Sequence, residues 1–285
     1  MRSAVAILTW NRIRALAALL ESLQNLGNPR PFKLAVFEDS GYEDDTVKVL
    51  SQLGDFAPDK RYLAVRTADD TEAPIFLGTR NLGVAGNSNR ALKWFMEETD
   101  AEHLVLLNDD VLCLGDFADL YARAHQETGI GIFCFCRLDG SSYTPAPMPA
   151  GTFTALAFNR MTGAGISLTR KLVEEIGYFD CQFGKFGEEH CDFTNRARLA
   201  GHLNLHGNNW LALDVQHDLL AHQDVPSSMA PGCREKKLKQ AESLAKKVSY
   251  GFSGLYRPCL LQHRPVAGIG KAGISVEKLP GYGWA

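Results

Sequence analysis

Short apolar runs alternate with amphipathic stretches through the first half of the chain. Ala4 to Thr9 is a continuous apolar run, the pattern of a strand buried on both faces. Arg12 to Leu26 carries Ile13, Leu16, Leu19, Leu20 and Leu23 at helical spacing and stops before Gly27. Phe32 to Phe37 predicts a second strand, Asp44 to Leu53 a second helix and Arg61 to Val65 a third strand. Gly86 to Thr99 predicts a helix, His103 to Leu107 a strand, Leu114 to Gln126 a helix and Gly131 to Cys136 a strand. Such alternation predicts an α/β domain with a mainly parallel sheet and helices on both faces.

The second half is patterned differently. Asp139 to Thr152 holds three prolines with Ser and Gly and predicts a loop. Phe153 to Phe158 and Gly165 to Leu168 predict strands, Arg170 to Ile176 a short helix, and Glu188 to Ala200 a helix ending at Gly201. His202 to His206 and Trp210 to Val215 suit strands, and Pro231 to Val248 a helix. After Tyr250 the chain is rich in Gly and Pro with no clear period, which predicts an irregular tail or flap.

Composition narrows the class without changing this outline. The 285 residues suffice for one sizeable core, with 45% hydrophobic and 22% charged residues. A net charge of -3 gives no overall basic surface for nucleic acid. The densest basic stretch, Arg234 to Lys239, reads as a solvated helix face. Neither a secretory signal nor a membrane-length apolar run is visible, so a soluble, cytoplasmic protein is expected. The seven cysteines include no Cys-x-x-Cys pair, and Cys134 and Cys136 share one face of a strand as core residues.

Polar residues gather where the predicted strands end, the edge at which parallel sheets bind ligands. Asn108-Asp109-Asp110 follows an apolar strand; it suits a divalent cation through Asp110 and a ribose through Asp109, or equally a turn that caps a helix. Asn81-Leu-Gly83-Val-Ala-Gly86-Asn-Ser-Asn89 opens a helix with two glycines, so backbone amides can approach an anion; the plain alternative is a capped loop. It is neither a dinucleotide fingerprint nor a P-loop. Glu188-Glu189-His190-Cys191-Asp192 crowds acids at one helix start, where a general base or a simple preference for the helix N-terminus would each place them.

Taken together these residues resemble family 2 glycosyltransferases of the GT-A fold. The order is Thr9-x-Asn11-Arg12, Glu38-Asp39-Ser40, Asn81-x-Gly83-x-x-Gly86-x-x-Asn89, Asn108-Asp109-Asp110, Gly163-Ala-Gly165, Glu174-Glu-Ile-Gly177-Tyr-Phe179-Asp180 and Glu188-Glu189-His190-Cys191-Asp192, over roughly Ala4 to His222. The resemblance implies a Rossmann-like sheet with a smaller antiparallel acceptor-side portion. It implies a catalytic domain over 1–222, with a nucleotide-binding half to about 136 and an acceptor-binding half from 137, and residues 223–285 packed on it.

The resemblance also implies roles. Thr9 and Asp39 match positions that hold the donor's base and ribose; Asn11, Arg12, Asn81, Gly83 and Asn89 match the nucleotide and phosphate wall. Asp110 matches the ligand of Mn²⁺ or Mg²⁺, Asp109 the ribose-side acid, and Gly163 the loop beneath the transferred sugar. A histidine after the final strand completes the metal site in relatives; His217 fits best, with His222 behind it. The implied reaction is inverting transfer from a UDP-sugar, with Glu189 as base and Asp192 or Glu188 orienting the acceptor. Two departures stand out: the first acid of the metal motif is Asn108, and His190 stands where the family has an acid if Asp192 is aligned. The acceptor, whether glycan, protein, metabolite or modified nucleic acid, is left open. The rival readings are a nucleotide-sugar-binding module without turnover and, further behind, a nucleotidyltransferase, which needs a Gly-rich basic loop where this chain has Thr9-Trp10-Asn11-Arg12.

Overall fold

The computed structural model describes residues 1–26, 32–39, 54–56, 62–66, 72–78, 81–135, 146–158, 163–183, 185 and 189–223. The helices expected over 44–53 and 231–248, the tail after 250, the basic stretch 234–239, Cys136 and Glu188 lie outside them.

The chain begins with β1 (Ser3–Thr9), α1 (Ile13–Gln24), β2 (Phe32–Glu38), β3 (Gly54–Phe56), β4 (Tyr62–Arg66), β5 (Glu72–Leu77) and α2 (Gly83–Glu98). It continues through β6 (His103–Asn108), β7 (Val111–Cys113), α3 (Phe117–Thr128), β8 (Ile132–Phe135), β9 (Ala146–Ala150), β10 (Phe153–Phe158) and β11 (Gly165–Thr169). The last elements are α4 (Arg170–Ile176), a 3-10 turn (Cys181–Phe183), α5 (Glu189–Leu199), β12 (Asn204–Leu205), β13 (Asn208–Asn209), β14 (Ala212–Val215) and β15 (Leu220–His222).

The principal sheet has eight strands in the order β3-β4-β5-β2-β1-β6-β11-β8. Its centre, β5-β2-β1-β6, is parallel, and the outer pairings are antiparallel. Every residue of β1 is buried, which is why that strand reads as an unbroken apolar run. The chain steps from β1 outward to β2, then returns across β1 to place β6 on its other side. The strand order therefore reverses between β1 and β6, the crevice where open α/β sheets take ligands.

A second sheet of three strands, β14-β10-β9, contains β10 and β14 where strands were expected and adds β9 from residues expected to be a loop. Pro147 and Pro149 stand two apart in the edge strand β9, so both lie on the same side of its backbone. The Pro149 carbonyl meets the His206 ring rather than β10, so that side faces the open edge, where a missing N–H costs no ladder bond. Finally, β7 and β15 pair antiparallel, setting His222 opposite Val111. This three-residue ribbon carries the end of the described chain back to the carboxylates that follow β6.

Candidate active site

Main-chain bonds tie the end of β6 to β1 on one side and to the residue before β11 on the other. The Asp109 N–H donates to the Leu8 carbonyl at 3.1 Å, and the Asn108 N–H to the Ala164 carbonyl at 3.0 Å. Asp109 is thereby turned inward and fully buried. Its Oδ2 accepts the Thr9 hydroxyl at 2.7 Å, and its Oδ1 lies 3.2 Å from the Arg12 guanidinium. Burial pushes the Asp109 carboxyl up to about 6; Arg12 and Thr9 pull it down and Asp110 adds to the rise. Asp110 gives Oδ2 to Arg12 at 3.0 Å, so one guanidinium spans both acids. Asn11, at φ 52, makes the left-handed turn that swings Arg12 back over them.

Asp110 Oδ1 is buried and accepts no hydrogen bond. Opposite it, at 4.0 Å, is His222 Nε2. The other ring nitrogen, Nδ1, lies 3.0 Å from the Gln223 carbonyl. A carbonyl only accepts, so Nδ1 carries a proton toward it, and Nε2 is the ring nitrogen that faces Asp110. The two atoms stand across a gap wider than a hydrogen bond. A carboxylate oxygen and an imidazole nitrogen so placed are a donor pair for a divalent cation, with a backbone carbonyl fixing the histidine from behind. Gln223 secures the arrangement: its N–H donates to the Asp110 carbonyl at 2.7 Å, and its side-chain amide reaches the carbonyls of Ala15, Asp109 and Val111.

His217, the sequence's first choice, is held elsewhere. Its Nδ1 accepts the Leu219 N–H at 3.1 Å, so the proton sits on Nε2 and is donated to the Tyr121 hydroxyl at 3.0 Å. Tyr121 passes the direction on to Asp214 at 2.9 Å. The ring stacks on Phe135, and burial lowers its pKa to about 4. With one nitrogen accepting and the other donating, the ring has no lone pair left for a metal.

The glycine turn is also differently employed. Asp39 Oδ2 accepts the N–H groups of Leu82 and Gly83 at 2.8 and 2.9 Å. Asn81 Oδ1 shares the Gly83 N–H, and the Val84 N–H donates to the Lys185 carbonyl at 3.0 Å. The first amides of α2 are therefore taken by protein acceptors rather than open to an anion. Burial raises the Asp39 carboxyl to about 6 against the pull of those amides and of Arg90. Asn89, inside α2, uses both ends of its amide on Phe179, at 2.9 Å to the carbonyl and 2.8 Å from the N–H. Asn89 thus joins α2 to Phe179, and the Gly83-Val84 turn joins it to Lys185.

That segment leads into α5. Asp192 is completely buried, with Oδ2 2.9 Å from Arg196 Nε. Arg196 donates onward to the carbonyls of Ile176 and Tyr178. This places Asp192 in a buried ion pair that ties α5 to the Ile176 and Tyr178 carbonyls through Arg196. Glu189 is buried too, with Oε1 3.1 Å from His190 Nδ1. The His190 ring lies against Gly163, where an added Cβ would fall 2.4 Å from Cε1. Only a glycine fits under that ring.

No family model matches the sequence, and no curated protein matches it. Solved structures match the backbone. The mannosyltransferase PcManGT from Pyrobaculum calidifontis, in complex with GDP-Man and Mn²⁺, aligns with a TM-score of 0.53 at 16% identity, over 93% of this chain and 69% of that one. S. aureus TarS 1-349, in complex with UDP-GlcNAc, aligns with a TM-score of 0.50 at 15% identity, over 99% of this chain and 78% of that one. The fold is GT-A-like. Within this GT-A-like frame the structure brings Thr9, Arg12, Asp109 and Asp110 together at the switch point. It sets Asp39, Asn81, Gly83 and Asn89 at and behind the start of α2. His222, which residue spacing set behind His217, and Gln223, which it did not single out, stand beside the Asp109-Asp110 turn. The available signal was a His-Gln pair ending a short apolar run that could pair beside Asp110.

Proposed function

We propose that the chain is a metal-dependent glycosyltransferase that moves a sugar from a nucleoside-diphosphate sugar, with UDP favoured, to an acceptor hydroxyl with inversion. The observation that carries this reading is the facing pair Asp110 Oδ1 and His222 Nε2 at the switch point of a GT-A-like sheet. Among the described residues no three His, Cys, Asp or Glu side chains cluster as a metal site. Two protein ligands suit Mn²⁺ or Mg²⁺, which keep several positions for water and substrate phosphate. When bound there, the ion neutralises charge on the departing diphosphate.

The chain's own residues do the rest. Arg12 holds both acids so that Asp110 turns Oδ1 toward His222, and Asp109, set by Thr9, is placed to take the ribose. Asp39 keeps Oδ1 clear of hydrogen bonds while Oδ2 holds α2, leaving one oxygen for a ring N–H such as uracil carries. Gly163 lines the sugar side, and the start of α5 supplies the base. The complexes of PcManGT with GDP-Man and Mn²⁺ and of TarS with UDP-GlcNAc support this assignment by shared fold.

The test is thermal unfolding of the protein with UDP, GDP and their sugars, with and without Mn²⁺. One nucleotide should raise the melting temperature only when Mn²⁺ is present, since a ligand at 100 times its Kd adds about 2.7 kcal/mol. Asp110→Asn should remove that rise without lowering the melting temperature of the free protein. Stabilisation by no nucleotide, or an equal rise without metal, sinks the reading.

A further inference from the structure

At the start of α5 the buried carboxylate stands behind a less buried ring. The Glu189 side chain is 3% exposed and the His190 side chain 15%. Glu189 Oε1 lies 3.1 Å from His190 Nδ1. A carboxylate accepts, so Nδ1 carries a proton toward it, and Nε2 is the ring nitrogen not engaged by Glu189. The ring is gripped from two sides. Its Cε1 corner fills the space of a Cβ at Gly163, with both nitrogens 2.8 Å from that point, and it packs against the Phe179 ring at 5.6 Å and 79°.

Gly163 fixes where this imidazole sits. The next residue, Ala164, accepts the Asn108 N–H at 3.0 Å, and Gly165 is in register with Leu107. His190 is therefore carried on the residue that flanks the Asn108-Asp109-Asp110 turn. Asp192, three residues on from Glu189, has Oδ2 2.9 Å from Arg196 Nε.

From this geometry we infer that His190, rather than Glu189, is the general base, and that Glu189 is its positioning residue; the inference rests on the transfer reading above. Nε2 takes the proton of the acceptor hydroxyl as that oxygen bonds to the anomeric carbon. The bond from that carbon to the diphosphate oxygen breaks, and the nucleoside diphosphate leaves with the electron pair. The imidazolium is held against the Glu189 carboxylate and then yields its proton to water. This is the arrangement in which a carboxylate orients an imidazole and stabilises its cation.

The experiment uses the full chain with Mn²⁺ and either UDP-GlcNAc or GDP-mannose, and measures nucleoside diphosphate release with water or sodium azide as nucleophile. Azide is already an anion and needs no base. His190→Ala and His190→Gln should lower release into water about 10²- to 10⁴-fold. Both should keep the Mn²⁺-dependent thermal shift by nucleoside diphosphate, and azide should restore turnover as glycosyl azide. Glu189→Gln, which keeps an acceptor for Nδ1 but no charge, should show a smaller loss that azide also restores. Near-normal water turnover in both His190 variants overturns the assignment. So does a loss that azide leaves unrepaired, or one accompanied by loss of nucleotide binding, since either marks a structural role. Absence of any metal-dependent nucleotide shift in the unaltered protein defeats the transfer reading itself, a separate and recognisable result.

Discussion

Arg196 has the largest fully buried side chain in the described structure, and each of its three guanidinium nitrogens is engaged. Nε meets Asp192 Oδ2 at 2.9 Å, and the two terminal nitrogens meet the carbonyls of Ile176 and Tyr178 at 2.8 and 2.9 Å. The guanidinium also lies 5.2 Å over the Phe193 ring. Arg196→Met removes the charge and keeps much of the volume, but strands the Asp192 carboxylate in the core. Breaking one side of a buried pair costs about 3–5 kcal/mol, so urea unfolding should shift by that amount. Turnover per folded molecule should change little. A variant of normal stability that had lost transfer would return this pair to the chemistry. The sequence shows the four-residue spacing of Asp192 and Arg196 but not their burial, and that is why the acid looked available to an acceptor.

One element, α2, joins most of the site. Its first turn is closed by Asp39 from β2, by Asn81 and by the Lys185 carbonyl, and its middle holds Phe179 through Asn89. Gly83 makes this possible twice over. Its φ is +80, and a Cβ there would stand 2.2 Å from Lys185 Cα. Gly83→Ala combines a left-handed penalty of about 1–2 kcal/mol with overpacking of about 1–3 kcal/mol. It should therefore cost about 2–5 kcal/mol in chemical denaturation and raise amide exchange at Val84, whose partner is Lys185. A change below about 0.5 kcal/mol means the contact is not tight. Local pattern could show that a glycine turn opens a helix. It could not show that Asp39 and Lys185, 43 and 101 positions from the amides they accept, close the turn alongside the local Asn81, because such partners are set by tertiary docking. Short elements hide for a related reason. The three-residue ribbon of β7 and β15 has too few residues for a period, yet it decides that His222 and not His217 faces Asp110. The central strands were legible because burial on both faces leaves an unbroken apolar run, as in β1.

At the scale of the molecule the sheet is polar at both ends, for opposite reasons. The end beyond β1 and β6 carries Asp109, whose Oδ1 lies 3.2 Å from Arg12, and Asp110, whose buried Oδ1 accepts no hydrogen bond. The opposite end is closed by a directed chain. His125 Nδ1 lies 2.6 Å from the Ile130 carbonyl, which forces its proton there and makes Nε2 an acceptor for the Ser167 hydroxyl at 2.9 Å. Ser167 in turn accepts from His103 Nε2 at 3.0 Å, and His103 Nδ1 accepts the Ser3 hydroxyl at 3.1 Å. Both rings are therefore neutral by hydrogen-bond logic, and burial agrees. It lowers His125 to about 4 and His103 well below the ordinary range, the latter helped by its histidine neighbour. Unfolded histidines titrate near about 6.5, so below that pH the unfolded chain binds more protons than the folded one. Stability is then full above about 6.5 and is lost as pH falls toward 4. Asp39 and Asp109, raised to about 6, act in the opposite sense over much of the same window, because the folded chain holds their protons more tightly. The absolute slope is a compromise between the two sets, but a difference between variants isolates one site. His125→Gln should flatten the fall in unfolding free energy between pH 6.5 and 4.5 by about one proton, or about 1.4 kcal/mol per pH unit, relative to the unaltered chain. Parallel curves for the two proteins would mean that His125 already carries its proton in the folded core, and the directed chain through Ser167 would have to run the other way.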